Sequence, residues 1–291
     1  MGFSKIIAGC MNWGKWGAGF STESYLKQIE HCLEIGINTF DHADIYGHYT
    51  TEAEFGKALK LNSSLRGQLK LITKCGICLI TPNRPEHKIK SYNTTKKHIL
   101  FSLENSLRNF NTDHIDLLLI HRPDPLMDPY EIAEAFSSLI ESGKVNQVGV
   151  SNFTASQLSM LNSIYPVSVN QIEASIIHTK PFYNGITDLS IEKSISIQAW
   201  SPLGAGKITL NTEDEQCRRV VSMANILGEK YGATFDQILL AWLMKHPAKI
   251  SPVIGTTKID RIKSAFDAVE IDMTNEEWHM LLRASLGADV P

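Results

Sequence analysis

The feature that most constrains this chain is an alternation repeated eight times. A short run of Val, Ile and Leu is followed each time by a longer stretch with apolar residues at three- and four-residue spacing. The runs are Lys5 to Cys10, Ile37 to Asp41, Leu69 to Lys74, Ile115 to His121, Gln147 to Ser151, Ser168 to Gln171, Ser196 to Trp200 and Ser251 to Ile254. Between them, Leu100, Leu103, Leu107 and Phe110, or Ile132, Phe136, Leu139 and Ile140, mark one buried helix face. Leu117 to Ile120 is apolar without alternation, as a strand covered on both faces requires. Eight strand-helix units in 291 residues predict an α/β fold: a closed (β/α)8 TIM barrel forming a single domain over 1–291. An open dinucleotide-binding sheet would carry Gly-x-Gly-x-x-Gly at its first turn, and Gly14, Gly17 and Gly19 do not have that spacing. A further helix, Thr274 to Ser285, lies beyond the eighth unit and opens on a capping box of Thr274 and Glu277.

A net charge of -3 argues against a phosphate-tracking surface, and no nucleic-acid partner is expected. No segment is apolar for long enough to span a bilayer, and Met1 to Trp16 does not read as a signal peptide, so a cytoplasmic protein without a membrane partner is expected. The five cysteines are odd in number and scattered, which fits reduced thiols. Cys75 and Cys78 form a Cys-x-x-Cys pair with no second pair to complete a zinc site, so they are read as small apolar side chains. Nothing in the pattern demands an assembly; a monomer or weak oligomer is expected.

In a barrel of this kind the active site lies at the C-terminal ends of the strands. The residues there are polar: Asp41 leading into Tyr46, then Lys74, His121, Ser151 with Asn152, Gln171, Trp200 with Ser201, and Gly255, Thr256 and Thr257. An acid, a lysine, a tyrosine and a histidine around one pocket form a proton-donating set for carbonyl chemistry. Asp41 would hold Lys74 charged, Lys74 would lower the pKa of the Tyr46 phenol, and His121 would orient the carbonyl oxygen. Met11, Trp13 and Trp16 follow the first strand and are candidate pocket walls, with a small-molecule carbonyl as substrate. Residues Gly76 to Asn93 exceed the usual strand-to-helix connection and read as a substrate loop. The connection after Trp200 reads as short, running through Gly204-Ala-Gly206 almost directly into a helix.

These residues carry a resemblance. Gly36-Ile-Asn-Thr-Phe-Asp-His-Ala-Asp-Ile-Tyr-Gly47 resembles the signature of the aldo-keto reductases, with Leu71-Ile-Thr-Lys74 and Asp116-Leu-Leu-Leu-Ile-His-Arg-Pro123 similar to the strands that follow. The resemblance implies Asp41, Tyr46, Lys74 and His121 as the catalytic set, the spacing selecting Asp41 over Asp44. Gly149-Val-Ser-Asn-Phe153 and Asn170-Gln171 are similar to the segments whose Ser, Asn and Gln hold the nicotinamide carboxamide, which assigns Ser151, Asn152 and Gln171. Trp200-Ser-Pro-Leu-Gly204 resembles the loop whose aromatic residue stacks on the nicotinamide, adding Trp200, Ser201, Leu203 and Gly204. The implied cofactor is NADPH/NADP+, with NADH less favoured. Where well-known NADPH-dependent members carry a lysine this chain has Thr256, leaving Thr257, Lys258 and Arg261, beside Gly255, to hold a 2′-phosphate. Within the family, His121 to Met127 and the ending Gly287 to Pro291 resemble the bacterial YdhF-like oxidoreductases. Many members also have an N-terminal hairpin ahead of the first strand; here Met1 lies close to that strand.

Other readings weigh less. A barrel metallohydrolase on His42, His48, His121, Asp41 and Asp44 lacks any His-x-His pair, so no metal is expected. A Schiff-base aldolase on Lys74 leaves Ser151, Asn152, Gln171 and Trp200 unexplained. A cofactor-binding regulatory or redox-sensing subunit with weak turnover would use the same fold and pocket.

Overall fold

A computed structural model describes residues 2–290; Met1 and the final Pro291, with the readings that rest on them, lie outside the described residues. Eight parallel strands close into a barrel: β1 (Ile7–Gly9), β2 (Thr39–Asp41), β3 (Lys70–Cys75), β6 (Ile115–Ile120), β7 (Val145–Ser151), β8 (Val169–Glu173), β9 (Ser196–Trp200) and β10 (Ser251–Ile254). The order around the barrel is β1-β10-β9-β8-β7-β6-β3-β2, which is chain order throughout. The two remaining strands, β4 (Ile77–Cys78) and β5 (Ser91–Tyr92), pair antiparallel as a hairpin inside the segment read as a substrate loop.

The helices around the barrel are α1 (Thr22–Glu34), α2 (Tyr46–Tyr49), α3 (Thr51–Leu61), α4 (Lys96–Phe110), α5 (Pro129–Glu141), α6 (Ala155–Ile164), α7 (Ile186–Glu192), α8 (Glu215–Tyr231), α9 (Phe235–Met244), α10 (Ile259–Asp267) and α11 (Asn275–Leu286). Their starts follow from local chemistry. Thr154 and Gln157 form a capping box on α6, and Asp128 caps α5 ahead of Pro129. The expected final helix is α11, and its Thr274–Glu277 capping box is present. One connection differs from the sequence reading. Residues 201–214 contain a single 3-10 turn before α8 begins, so the path after Trp200 is long, and α8 and α9 both lie between β9 and β10.

The core has two parts. Inside the barrel, Ile7, Ile72, Leu117, Leu119, Val169 and Val253 meet, with Phe3 packed against them. Between sheet and helices lies the larger apolar layer, where each fully buried Leu, Ile or Phe contributes about 1.5–3 kcal/mol. Helices α3 and α4 approach closely at Gly56, where a Cβ would fall 1.9 Å from the carbonyl oxygen of Asn109. Helix α11 is held to α9 by a reciprocal pair. The Trp242 and Trp278 rings stack at 4.8 Å, and each indole N–H donates to the other's carbonyl oxygen at 3.0 Å.

Candidate active site

Chain-order closure of the barrel sorts the rim into two arcs. Strands β2, β3 and β6 deliver Asp41, Tyr46, Lys74 and His121; β7 to β10 deliver Ser151 and Asn152, Gln171, Trp200, and Gly255 onward.

Lys74 is the hub of the first arc. Its ammonium is 1% exposed and donates to both Asp41 oxygens at 2.7 and 2.8 Å, to the His42 carbonyl at 2.8 Å and to the Tyr46 hydroxyl at 3.2 Å. Burial works against its charge, but Asp41 and Tyr46 outweigh that and raise its pKa. The hydroxyl oxygen of Tyr46 thus accepts from a fixed cation. Immediately after Tyr46 the backbone turns left-handed at Gly47, His48 and Tyr49, with φ of 59°, 61° and 67°. Two non-glycine residues in that region carry strain, a cost concentrated beside the phenol.

The sequence reading expected Lys74 to lower the Tyr46 pKa, and here the structure corrects it. Burial of the phenol is the largest influence, and with Asp41 it exceeds the pull of Lys74, so the value is raised. Tyr46 keeps its proton at neutral pH. His121 is shifted the other way, well below the usual imidazole range, by burial and then by the charges of Lys74, Arg122 and Lys90. It is a neutral imidazole, its ring 6.1 Å from that of Tyr46 and nearly perpendicular to it.

The two arcs are joined by contact. Asn152 donates its amide to the His121 carbonyl at 3.3 Å and to Ser151 Oγ at 2.8 Å, and its Oδ1 accepts from the Trp200 indole at 3.0 Å. Ser151 donates to the Gln171 carbonyl at 2.8 Å, and the Gln171 amide crosses the barrel to Asp41 Oδ1, also at 2.8 Å. Asp41, Lys74, Tyr46, His121, Asn152, Ser151 and Gln171 therefore form a closed ring of contacts. Asn152, which makes three of these bonds, holds a positive φ of 63°, and Ser201, after Trp200, one of 51°. Gln198, missed by the sequence reading, accepts a second bond from Gln171 at 3.0 Å. Its signal was its place two residues before Trp200, facing the barrel interior by strand alternation.

Farther around, Ser201, Leu203 and Gly204 form the turn after β9, closed by the Gly204 N–H on the Ser201 carbonyl at 2.9 Å. After β10, Thr256 Oγ1 accepts the Lys258 N–H at 3.2 Å, and the Thr257 carbonyl is held by Gln28 at 3.3 Å. Gly255, Lys258 and Arg261 are exposed at the start of α10.

One wall assignment changes. Trp13 is fully buried among Phe20, Tyr25, Phe40 and Phe55 and is core, not pocket wall. The loop after β1 folds back, Ala18 N–H to the Asn12 carbonyl, and brings Trp16, the other indole expected as a wall, to the rim, 6.0 Å from the Tyr46 ring. Met11 is 42% exposed. Opposite, the β4–β5 hairpin supplies Ile77, packed with Ala43, Ile45 and Tyr46. The hairpin is anchored to α2: Tyr49 donates to the Ile77 carbonyl at 3.2 Å, and Asn83 donates to that of His48 at 2.7 Å. Arg84 lies over the Tyr49 ring at 4.5 Å.

Asp44 does not reach Lys74. It faces a separate cleft with Glu52, Arg84 and His98, where burial and then Glu52 raise its pKa. Cys75 and Cys78 are buried free thiols with raised pKa values, first from burial.

His42 lies under the site with neither ring nitrogen hydrogen-bonded, packed edge-on against Phe55 and Phe110 at 4.7 and 4.9 Å. Burial and then Lys74 lower its pKa to about 3. Above pH ~6.5 the imidazole is neutral in both folded and unfolded chains. As pH falls from there toward 3, the unfolded chain binds a proton that the native one refuses, and stability is lost. At pH 5 that loss is expected to be about 2 kcal/mol. His42→Leu should flatten the decline in urea midpoint between pH 7 and pH 5; an unchanged slope would assign the acid sensitivity elsewhere.

A barrel with a buried ammonium-carboxylate pair, a protonated phenol and a neutral imidazole on one rim is an enzyme scaffold fitted for carbonyl chemistry. The chain belongs to the aldo/keto reductase family, whose model matches residues 5–285. It is 45% identical to the Bacillus subtilis oxidoreductase YcsN and 40% identical to Escherichia coli oxidoreductase YdhF, each alignment covering 99% of this chain and 96% of the relative. It is 41% identical to a 6-dehydroglucose reductase of Agrobacterium fabrum, with the same coverage of both chains. A thermostable aldo-keto reductase solved with the inhibitor epalrestat superposes with a TM-score of 0.81 at 25% identity, covering 97% of this chain and 95% of that one.

Proposed function

We propose that this oxidoreductase reduces a small aldehyde or ketone to the alcohol using NADPH, with Tyr46 as proton donor. The observation that carries the reading is the Lys74 ammonium shared between Asp41 and the Tyr46 hydroxyl beside a neutral His121. When bound, the nicotinamide supplies hydride to the carbonyl carbon. The protein's part is the oxygen. His121 orients it by hydrogen bond, and Tyr46 gives up its proton as negative charge develops. Burial keeps that proton in place beforehand. Lys74 then stabilises the phenolate left behind, and Asp41 keeps Lys74 charged and aimed.

The second arc fits a dinucleotide. Trp200 offers a half-buried ring fixed through Asn152, and the amides and hydroxyl of Asn152, Gln171 and Ser151 suit a carboxamide. The backbone of Ser201, Leu203, Gly204 and Gly255 would line the path outward. At the start of α10, the half-buried Thr256 and Thr257 with the exposed Lys258 and Arg261 would take the 2′-phosphate. Neither cation has an acidic partner within 4.0 Å among the described residues. Asp260 in the first turn opposes them, so the preference for NADPH rests on the pair. The five free thiols support a cytoplasmic setting for a single-domain enzyme acting as a monomer or weak oligomer.

The test is to measure NADPH and NADH dissociation constants by tryptophan quenching, with NADPH oxidation on simple aldehydes. NADPH should bind more tightly, and Lys258→Ala with Arg261→Ala should weaken it about 10–100-fold with little effect on NADH. Equal affinities would reverse the cofactor preference. Absence of aldehyde turnover would leave a cofactor-binding subunit.

A further inference from the structure

We infer that the carbonyl substrate bears an anionic group and that Arg122 binds it. The inference rests on the reductase reading and names its substrate class. Arg122 follows His121 at the end of β6, and its guanidinium lies 5.7 Å from the centroid of the Trp200 ring. Trp200 is pinned to Asn152, which is bonded in turn to the His121 carbonyl. Arg122 thus follows in the chain the imidazole that would orient the carbonyl oxygen and lies against the indole on which the nicotinamide would lie. A charge there is within reach of a group a few carbons from the reacting carbon.

The guanidinium is half-buried, and among the described residues no carboxylate pairs with it within 4.0 Å. An aromatic face holds a guanidinium in place but satisfies none of its N–H donors. Five donors in a planar fork match a carboxylate or phosphate with two parallel bonds. Glu173, Cα partner of Trp200 across β8 and β9, and Asp124, two residues along the chain and bonded to the Leu126 N–H, make no ion pair with Arg122. Lys90, beside the hairpin strand β5, adds a second positive charge felt at His121. Asp41 is paired with Lys74, so its charge is not available to Arg122. Stacked, partly desolvated and unpaired, Arg122 is set for an incoming anion.

The experiment compares 4-oxobutanoate with butanal, which has the same chain without the carboxylate, and glyceraldehyde 3-phosphate with glyceraldehyde, using NADPH and the full-length enzyme. The anionic member of at least one pair should show kcat/KM about 10–100-fold higher, with a ratio that falls as salt rises; which pair shows it decides between carboxylate and phosphate. Arg122→Gln should lower kcat/KM for the anionic aldehyde at least ~10-fold more than for its neutral counterpart, and Arg122→Lys should retain part of the preference. Ratios near one in the unmodified enzyme, or equal losses for both members of a pair, overturn the inference. So does a rise in the NADPH dissociation constant that accounts for the whole loss, since Arg122 would then serve the cofactor. If no aldehyde, charged or neutral, is turned over, the reductase reading itself fails.

Discussion

Tyr46→Phe is expected to slow aldehyde reduction by about 10²–10⁴-fold, the usual contribution of a positioned general acid. The dissociation constant for NADPH should change by no more than about twofold. The ring would remain packed against Trp16 and Ile77, and only the hydroxyl that accepts from Lys74 would go. A phenylalanine enzyme that retains wild-type turnover would remove Tyr46 from the proton-donor role. A different failure, in which cofactor binding collapses as well, would point to a misfolded rim. Circular dichroism and quenching on the same sample separate the two.

The second large effect belongs to Lys74→Met. Asp41 is 3% exposed, and its oxygens are satisfied mainly by that ammonium, so the variant buries a carboxylate with only the Gln171 amide to hold it. Breaking a buried pair on one side costs about 3–5 kcal/mol. For a domain of this size that is a fall in melting temperature on the order of 5–10 °C. Turnover should fall as well, because the phenolate loses its cation. Adding Asp41→Asn to the same chain should restore much of the stability and none of the turnover. If the double variant is no more stable than Lys74→Met, the cost lies in packing around the methionine, and the ion pair is not its source.

Much of this molecule was legible in the order of its residues. Runs such as Leu117 to Ile120 announce strands covered on both faces, and the polar residue that ends each run marks the rim. The choice of Asp41 over Asp44 came from the resemblance, whose signature spacing matches the first; Lys74 bonds Asp41, while Asp44 faces another cleft. Strand ends were less exact. β1 is shorter than its apolar run and β7 begins earlier, at Val145, because inter-strand pairing and not hydropathy sets those limits.

What the sequence hid depends on distance in space. Trp13 and Trp16 look equivalent in the chain, but a loop without periodicity turns one into the core and the other to the rim. The strands β4 and β5 are two residues each, too brief to leave a pattern. The direction of the Tyr46 pKa was misread for a related reason: neighbouring charges can be inferred from residue order, whereas depth of burial cannot. Residue order assigns Arg122 no role, because the ring it lies over, Trp200, is on a strand three places away around the barrel.

The stacked indoles of α9 and α11 give the protein an optical property of its own. Of its five tryptophans, Trp242 and Trp278 are parallel within 10° and close enough for their electronic transitions to couple, while Trp16 and Trp200 stand at the rim. A coupled chromophore pair has a circular-dichroism couplet that vanishes when the rings part. Docking of the last helix and occupancy of the rim therefore have separate spectroscopic signatures, recorded on the unlabelled protein in one cuvette.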